Sequence, residues 1–413
     1  MENGRPAAYI TGIGVVSPVG VGRETFWSSL LAGESGVGPI TLFDASDFSV
    51  RIAAECTDFD PKDFMSRKLV PRTDRFAQLG LASTKLALED AGAWGELESN
   101  SERVGLILGS GIGGVASMGE TQYTMDTKGP NRVNPFVVTK IMPNSAAAHV
   151  AIQLGVQGPS ATPALACACG TDTMGLGYDI IRRGDADMVI CGSADAVITP
   201  VMVAGFIAMR AMSHSNDDPE GACRPYDKDH SGFVIAEGSA VFILESAESV
   251  ERHGVEPYAK ITGVGRTTDA YSVADPDREG RGILRAMQLA LKDAGVEGER
   301  VGYINPHGAG TPAGDGPESR AMYKINPNVM VSATKSTLGH SMGATGAIEA
   351  TVCALALKEG VVPPMRNLEE LAADCAKLDY VVDEPRKAPD LEVALCANLG
   401  VGGHNAAIVL EKA

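Results

Sequence analysis

Short apolar runs bounded by glycine or charge alternate along the chain with stretches whose apolar residues recur at helical spacing. Val104-Gly105-Leu106-Ile107-Leu108 and Met188-Val189-Ile190-Cys191 are of the first kind; Phe76 to Ala91 and Leu284 to Ala294 are of the second. Continuous apolar runs of this length predict buried strands, and their alternation with helices predicts α/β units. The pattern also repeats. Ala8-Tyr9-Ile10-Thr11-Gly12-Ile13-Gly14 returns as Lys260-Ile261-Thr262-Gly263-Val264-Gly265. Leu86-Ala87-Leu88-Glu89-Asp90-Ala91-Gly92 returns as Leu289-Ala290-Leu291-Lys292-Asp293-Ala294-Gly295, and Glu102-Arg103-Val104-Gly105 as Glu299-Arg300-Val301-Gly302. Three matches in the same order predict a duplicated domain, with halves 1–257 and 258–413 and longer insertions in the first. Two such halves can stack their sheets around shared central helices. The stretches 213–232 and 266–281, rich in Asp, Pro and Gly, predict long surface loops of the kind that carry function.

Composition narrows the class. With 413 residues, 44% apolar and 21% charged, the chain can fill two cores and has the profile of a soluble globular protein. A net charge of −17 argues against nucleic acid or an anionic membrane as a partner. No apolar run approaches the ~20 residues of a membrane span, and Met1-Glu2-Asn3-Gly4-Arg5-Pro6 leads into a strand without a signal-peptide core. Eight cysteines show neither a Cys-x-x-Cys pair nor zinc spacing, so the expectation is a reduced, cytoplasmic protein with no metal.

One stretch then stands out: Leu165-Ala166-Cys167-Ala168-Cys169-Gly170-Thr171, after the turn signal Gly158-Pro159-Ser160 and before the helically spaced Met174 to Ile181. This spacing predicts Cys167 at a helix start, where unpaired N–H groups and the helix dipole favour a thiolate. A buried cysteine acting as a small hydrophobe is the plain alternative. Two histidines downstream add weight. His307 lies in Asn305-Pro306-His307-Gly308, after the strand-like Val301 to Ile304. His340 lies in Thr334-Lys335-Ser336-Thr337-Leu338-Gly339-His340, before a small-residue helix over Ala344 to Ala356. Asn398-Leu399-Gly400-Val401-Gly402-Gly403 lacks the Gly-Lys-[Ser/Thr] of a phosphate loop and suits backbone N–H groups aimed at an oxyanion. A cysteine with two histidines fits a Cys-His hydrolase, or an acyl-transfer and condensation enzyme with two neutral donors at a second carbonyl.

Ala166-Cys167-x-x-Gly170, Asn305-x-His307-Gly308-x-x-Thr311-Pro312, Thr334-Lys335-Ser336-x-x-Gly339-His340 and Gly400-x-Gly402-Gly403 resemble the β-ketoacyl-acyl carrier protein synthases, above all the elongating synthase II type and the ketosynthases of type II polyketide pathways. The resemblance runs from about Tyr9 to Glu411. It implies the thiolase fold, an α/β architecture of duplicated halves in five αβαβα layers, normally dimeric. It implies no resident cofactor; the substrates ride on the phosphopantetheine of acyl carrier protein. A chain-length-factor-like partner subunit would lack the nucleophile, which is present as Cys167. A CoA-dependent thiolase would pair one His with a second Cys near the C-terminus.

By this resemblance Cys167 carries the acyl group, with Cys169 as the alternative nucleophile. His307 and His340 donate to the malonyl thioester carbonyl, and Lys335 and Glu349 form the supporting buried pair. The backbone N–H groups of Cys167 and Leu399 form the oxyanion hole. Ile112, Phe206, Leu399 and Val401 line the acyl pocket and its gate, and Thr311, Ala309 and Ala274 the pantetheine channel. Acyl carrier protein would dock on a local basic patch, with Arg67, Lys68, Arg72 and Arg75 clustered in sequence and Arg132 and Arg210 near the tunnel mouth. The dimer partner is a second copy or a chain-length-factor-like subunit. Departures from the family lie at Leu399 and Val401, where Phe is usual, at Ala309 and Ala274 in place of Thr, and at Ser231 in place of Asp. They lean towards a specialised polyketide or polyene pathway over housekeeping fatty-acid elongation.

Overall fold

The computed structural model describes residues 7–413; the leading Met1–Pro6 lie outside the described residues. The first half runs β1 (Ala8–Ser17), α1 (Arg75–Ala91), β2 (Val104–Gly109), β3 (Ser160–Ala161), α2 (Cys169–Arg183), β4 (Met188–Ala196) and β5 (Glu237–Glu245). The second runs β6 (Ala259–Thr268), α3 (Arg281–Ala294), β7 (Tyr303–Asn305), β8 (Met330–Val331), α4 (Thr345–Glu359), β9 (Val393–Gly400) and β10 (His404–Glu411). The strand order β3-β2-β4-β5-β1 of the first half is matched by β8-β7-β9-β10-β6 in the second. The directions match as well: the pairs β2–β4 and β7–β9 are parallel, and the strands that follow are antiparallel. Duplication read from three short sequence matches is therefore duplication of a whole topology.

The halves are stacked as expected, with one addition. β1 pairs β6 antiparallel through Ala8, Ile10 and their neighbours, so the two sheets join along one edge into a continuous sheet. α2 packs on β2 and β4 and also on β6 and β10, while α4 packs on β7 and β9 and also on β1 and β5. These two helices form the middle layer; α1 covers β1, β4 and β5 outside, and α3 covers β6 and β10. The loop predicted from 266 begins later, because β6 continues to Thr268.

Local sequence explains the central layer. α4 buries thirteen residues, Thr345 to Leu357, almost all small or apolar; a helix apolar on every face belongs inside. Glu349 is the one charge in that run. α2 and α4 touch backbone to backbone: a Cβ at Gly170 would lie 2.2 Å from the Ala347 nitrogen, and one at Gly346 2.5 Å from the Thr171 nitrogen. Only glycine allows this approach. α1 starts on the Asp74 side chain, which accepts the Phe76 N–H, and α1 to α4 all end on a left-handed glycine, the usual C-terminal stop.

Candidate active site

Cys167 sits in a 3-10 turn over Ala166–Ala168 that runs straight into α2. The preceding Ala166 holds a left-handed φ of 48°, a strained setting for a residue with a Cβ and one that concentrates at functional sites. The backbone N–H groups of Val401 and of Cys167 itself lie on the thiol side and favour its ionised form. Leu399, the expected second oxyanion donor, lines the same cavity as Cys167 and Val401. It stands in ladder register opposite Asn405, whereas Val401 opens the turn beyond Gly400, where amides are free of the sheet. The thiol itself behaves differently from expectation. Burial pushes it up to about 11, against the pull of Lys335 and the two amides; desolvation exceeds what a helix start supplies. Cys169 points elsewhere, donating to the Pro163 carbonyl at 3.0 Å and abutting Gly109.

His307 and His340 meet edge to face, ring centroids 5.1 Å apart, and Phe233 packs edge-on against His340 at 5.2 Å. The Met342 N–H donates to His340 Nδ1 at 3.3 Å, with the Thr345 hydroxyl at 3.0 Å. A ring nitrogen that accepts an amide N–H carries no proton, so the proton of neutral His340 is on Nε2. Burial, and then the charge of Lys335, hold both imidazoles well below their ordinary pKa. Both are neutral at physiological pH and each has one N–H to give.

Behind them lies a buried polar chain. Lys335 Nζ donates to the His307 carbonyl and to Glu349 at 2.5 Å. Glu349 accepts from Asn398 Nδ2 at 2.6 Å, and Asn398 accepts the Thr171 hydroxyl. Burial raises the Glu349 carboxyl despite these partners. The chain runs from the His307 loop to α2 and so ties the second half's donors to the first half's nucleophile. Glu318 collects the N–H groups of His307 and Gly308 at 2.6 and 2.8 Å, with its carboxyl pushed up by burial to about 7. Asp315 collects those of Gly310 and Thr311, both at 3.2 Å, and pairs with His230 at 2.9 Å.

Cys167, His307, His340, Phe206, Arg210, Ala274, Ala309, Thr311, Leu399 and Val401 all line one cavity of about 340 Å³. Ile112 does not; it packs with Phe206 into the apolar cluster around Cys167, beside Val115 and Ile198. These last two also wall a larger cleft of about 1120 Å³. The loop carrying Ala274 is held to the glycine turn by Gly402 N–H to the Val273 carbonyl and Asp269 N–H to the Gly403 carbonyl, both 2.8 Å. Of the predicted docking residues, Arg67 and Lys68 are exposed, and Arg72 and Arg132 share a cleft with Lys140. Arg75 is withdrawn: it pairs with buried Glu237 at 2.6 Å and lies over Phe59. Sequence reasoning gave no role to Phe233, Asn398, Thr171, Glu318 or Asp195; an isolated Glu349 inside an apolar helix was the one signal that a buried polar chain existed.

Fold and site together define an acyltransferase of the thiolase type. Residues 7–249 match the model of the beta-ketoacyl synthase N-terminal domain and residues 258–369 that of the C-terminal domain. The chain is 41% identical over 407 residues to 3-oxoacyl-[acyl-carrier-protein] synthase 2 of Synechocystis sp., covering 98% of this chain and 97% of that protein. Among solved structures, the ishigamide ketosynthase/chain length factor superposes with a TM-score of 0.92 at 32% identity, over 99% of this chain and 100% of that one. A type II polyketide ketosynthase solved with its acyl carrier protein superposes with a TM-score of 0.91 at 28% identity, over 99% and 100%. The chain belongs to the β-ketoacyl synthase family. Among the described residues no helix is long and apolar enough to cross a membrane.

Proposed function

We propose that this ketosynthase condenses a Cys167-bound acyl group with a malonyl group carried on acyl carrier protein, with loss of carbon dioxide. The thiol of Cys167 attacks the incoming acyl thioester, its proton leaves with the carrier thiol, and the carbonyl oxygen gathers charge towards the N–H groups of Cys167 and Val401. The malonyl thioester then enters. His307 and His340 donate to its carbonyl oxygen while the carboxylate departs as carbon dioxide, which leaves an enolate. The enolate carbon attacks the acyl thioester, a C–C bond forms, and Cys167 is released. Burial, with Lys335 beside it, keeps both imidazoles neutral, so they stabilise the enolate as donors without transferring a full proton.

The observation that carries this reading is the pair of buried histidines sharing one cavity with Cys167, one of them accepting the Met342 N–H at Nδ1. A Cys-His hydrolase uses one histidine as base, and that base has to charge, which burial and then Lys335 oppose here. Exposed Arg67, Lys68, Arg72 and Arg132 suit an acidic carrier protein, as does the relative solved with one. Exposed Met118, Tyr123 and Met125 suit burial in a dimer, with a second copy or with a chain-length-factor-like subunit. Eight cysteines, all free and buried, suit a reducing cytoplasm.

Intact mass after incubation with a panel of acyl-carrier thioesters tests the reading and identifies the chain accepted. The parent gains the acyl mass, Cys169→Ala retains it, and Cys167→Ala gains none. An adduct that persists in Cys167→Ala overturns the assignment.

A further inference from the structure

At the end of β4, Asp195 is wholly buried and forms no ion pair among the described residues. A buried carboxylate without a cation is costly, and an uncharged side chain would avoid that cost. What Asp195 has instead is donors from two loops, one in each half of the chain. The Ser110 hydroxyl donates to Oδ1 at 2.5 Å, and the Gly111 N–H to Oδ2 at 3.0 Å. The Gly343 N–H, from the other half of the chain, donates to the same Oδ2 at 2.7 Å. Ser110 in turn accepts the Gly113 N–H at 2.8 Å, so the turn bearing Ile112 is held on both sides. Gly343 follows Met342, which stands at a φ of 50° and supplies the N–H that fixes His340. The two loops touch: a Cβ on Gly343 would lie 2.5 Å from the Gly111 nitrogen.

We propose that Asp195 is a positioning residue that clamps the Ile112 turn to the His340 loop, so that the acyl side and the decarboxylation side of the site keep one fixed spacing. The assignment rests on the ketosynthase reading above. Only an ionised carboxylate offers acceptors to all these donors without turning a proton towards one of them. Burial raises its pKa to about 6. The titratable groups that face it are the thiols of Cys167 and Cys169, both held protonated at neutral pH. The clamp therefore loosens as Asp195 gains a proton, on the acid side of neutrality.

The test measures two half-reactions from pH 5 to 8: octanoyl transfer from carrier protein to Cys167, read by mass, and carbon dioxide release from malonyl carrier protein. Asp195→Asn is expected to lower carbon dioxide release ~10-fold or more, because small misplacements of donors cost this much. It is also expected to remove the acid limb near pH 6 that the parent shows. Ser110→Ala keeps the carboxylate but removes one donor, and should shift that limb to higher pH; it serves also if the Asn variant does not fold. Parent-like half-reactions with an unchanged acid limb in a folded Asp195→Asn, or an unshifted limb in Ser110→Ala, overturn the proposal. A parent enzyme that performs neither half-reaction overturns the ketosynthase reading instead.

Discussion

In the first half, Ala166 at φ 48° opens a 3-10 turn over Ala166–Ala168, and α2 follows from Cys169; in the second, Met342 at φ 50° opens a 3-10 turn over Met342–Ala344, and α4 follows from Thr345. The same strained turn leads into the same buried helix twice. What differs is the side chain seated in it. The residue after Ala166 is Cys167, whose thiol faces the cavity; the residue after Met342 is Gly343, whose N–H goes to Asp195. The second half places its chemistry beside the turn, on His340, with Thr345 and the Met342 N–H fixing the ring. A duplicated scaffold supplied two strained, preorganised helix starts, and only one kept room for a nucleophile. The other became a holder for a hydrogen-bond donor.

The comparison breaks most severely at the polar chain that joins the two helix starts. Lys335→Ala would leave Glu349 charged and uncompensated inside α4, and is expected to destabilise the fold by ~3–5 kcal/mol in denaturant unfolding. Adding Glu349→Gln should restore most of that loss; a double variant no more stable than the single one would show that the pair is not what matters. A smaller break separates the two turns by function. His340→Ala should lower malonyl decarboxylation ~10²–10³-fold while acyl transfer to Cys167 stays within a few-fold of the parent. Equal losses in both steps would mean that the Cys167 turn and the Met342 turn do not divide the work. The smallest effect sharpens the picture of one contact between the halves. His230 faces Asp315, Asp374 and Asp227, and its bond to Asp315 raises its pKa. Protonated His230 therefore contributes stability below about pH 6.5, and that contribution is lost as pH rises through its raised folded value. His230→Gln should flatten this decline, by on the order of 1 kcal/mol; identical pH slopes for parent and variant would exclude it.

The halves were legible from sequence because a strand-to-helix period change and three ordered matches survive in plain text, from Ala8-Tyr9-Ile10 to Val301-Gly302. Cys167, His307 and His340, which the structure brings to one cavity, stand out in sequence because each sits in a short glycine-spaced motif. Which of Leu399 and Val401 turns its N–H inwards is not written there: that depends on where β9 ends, and strand ends are set by pairing with β10. Nor is the state of the thiol, since a helix start and deep burial act in opposite directions and sequence shows only the first. Arg75 looked like its basic neighbours until Glu237, far along the chain, turned out to be its partner. Asp195 sits in Gly192-Ser193-Ala194-Asp195-Ala196, where nothing local announces a clamp.

The shared middle layer has a consequence for how the molecule comes into being. α2 belongs to the first half yet completes itself against β6 and β10, and α4 belongs to the second yet rests on β1 and β5. The inner core between the sheets draws on both halves, so it closes only when both are present, and β1 can meet β6 only after about 250 residues of chain have been made. Cys167 meets its histidines at the same closing event. Assembly and completion of the site are then one step: a half-made chain holds the thiol of Cys167 but neither histidine.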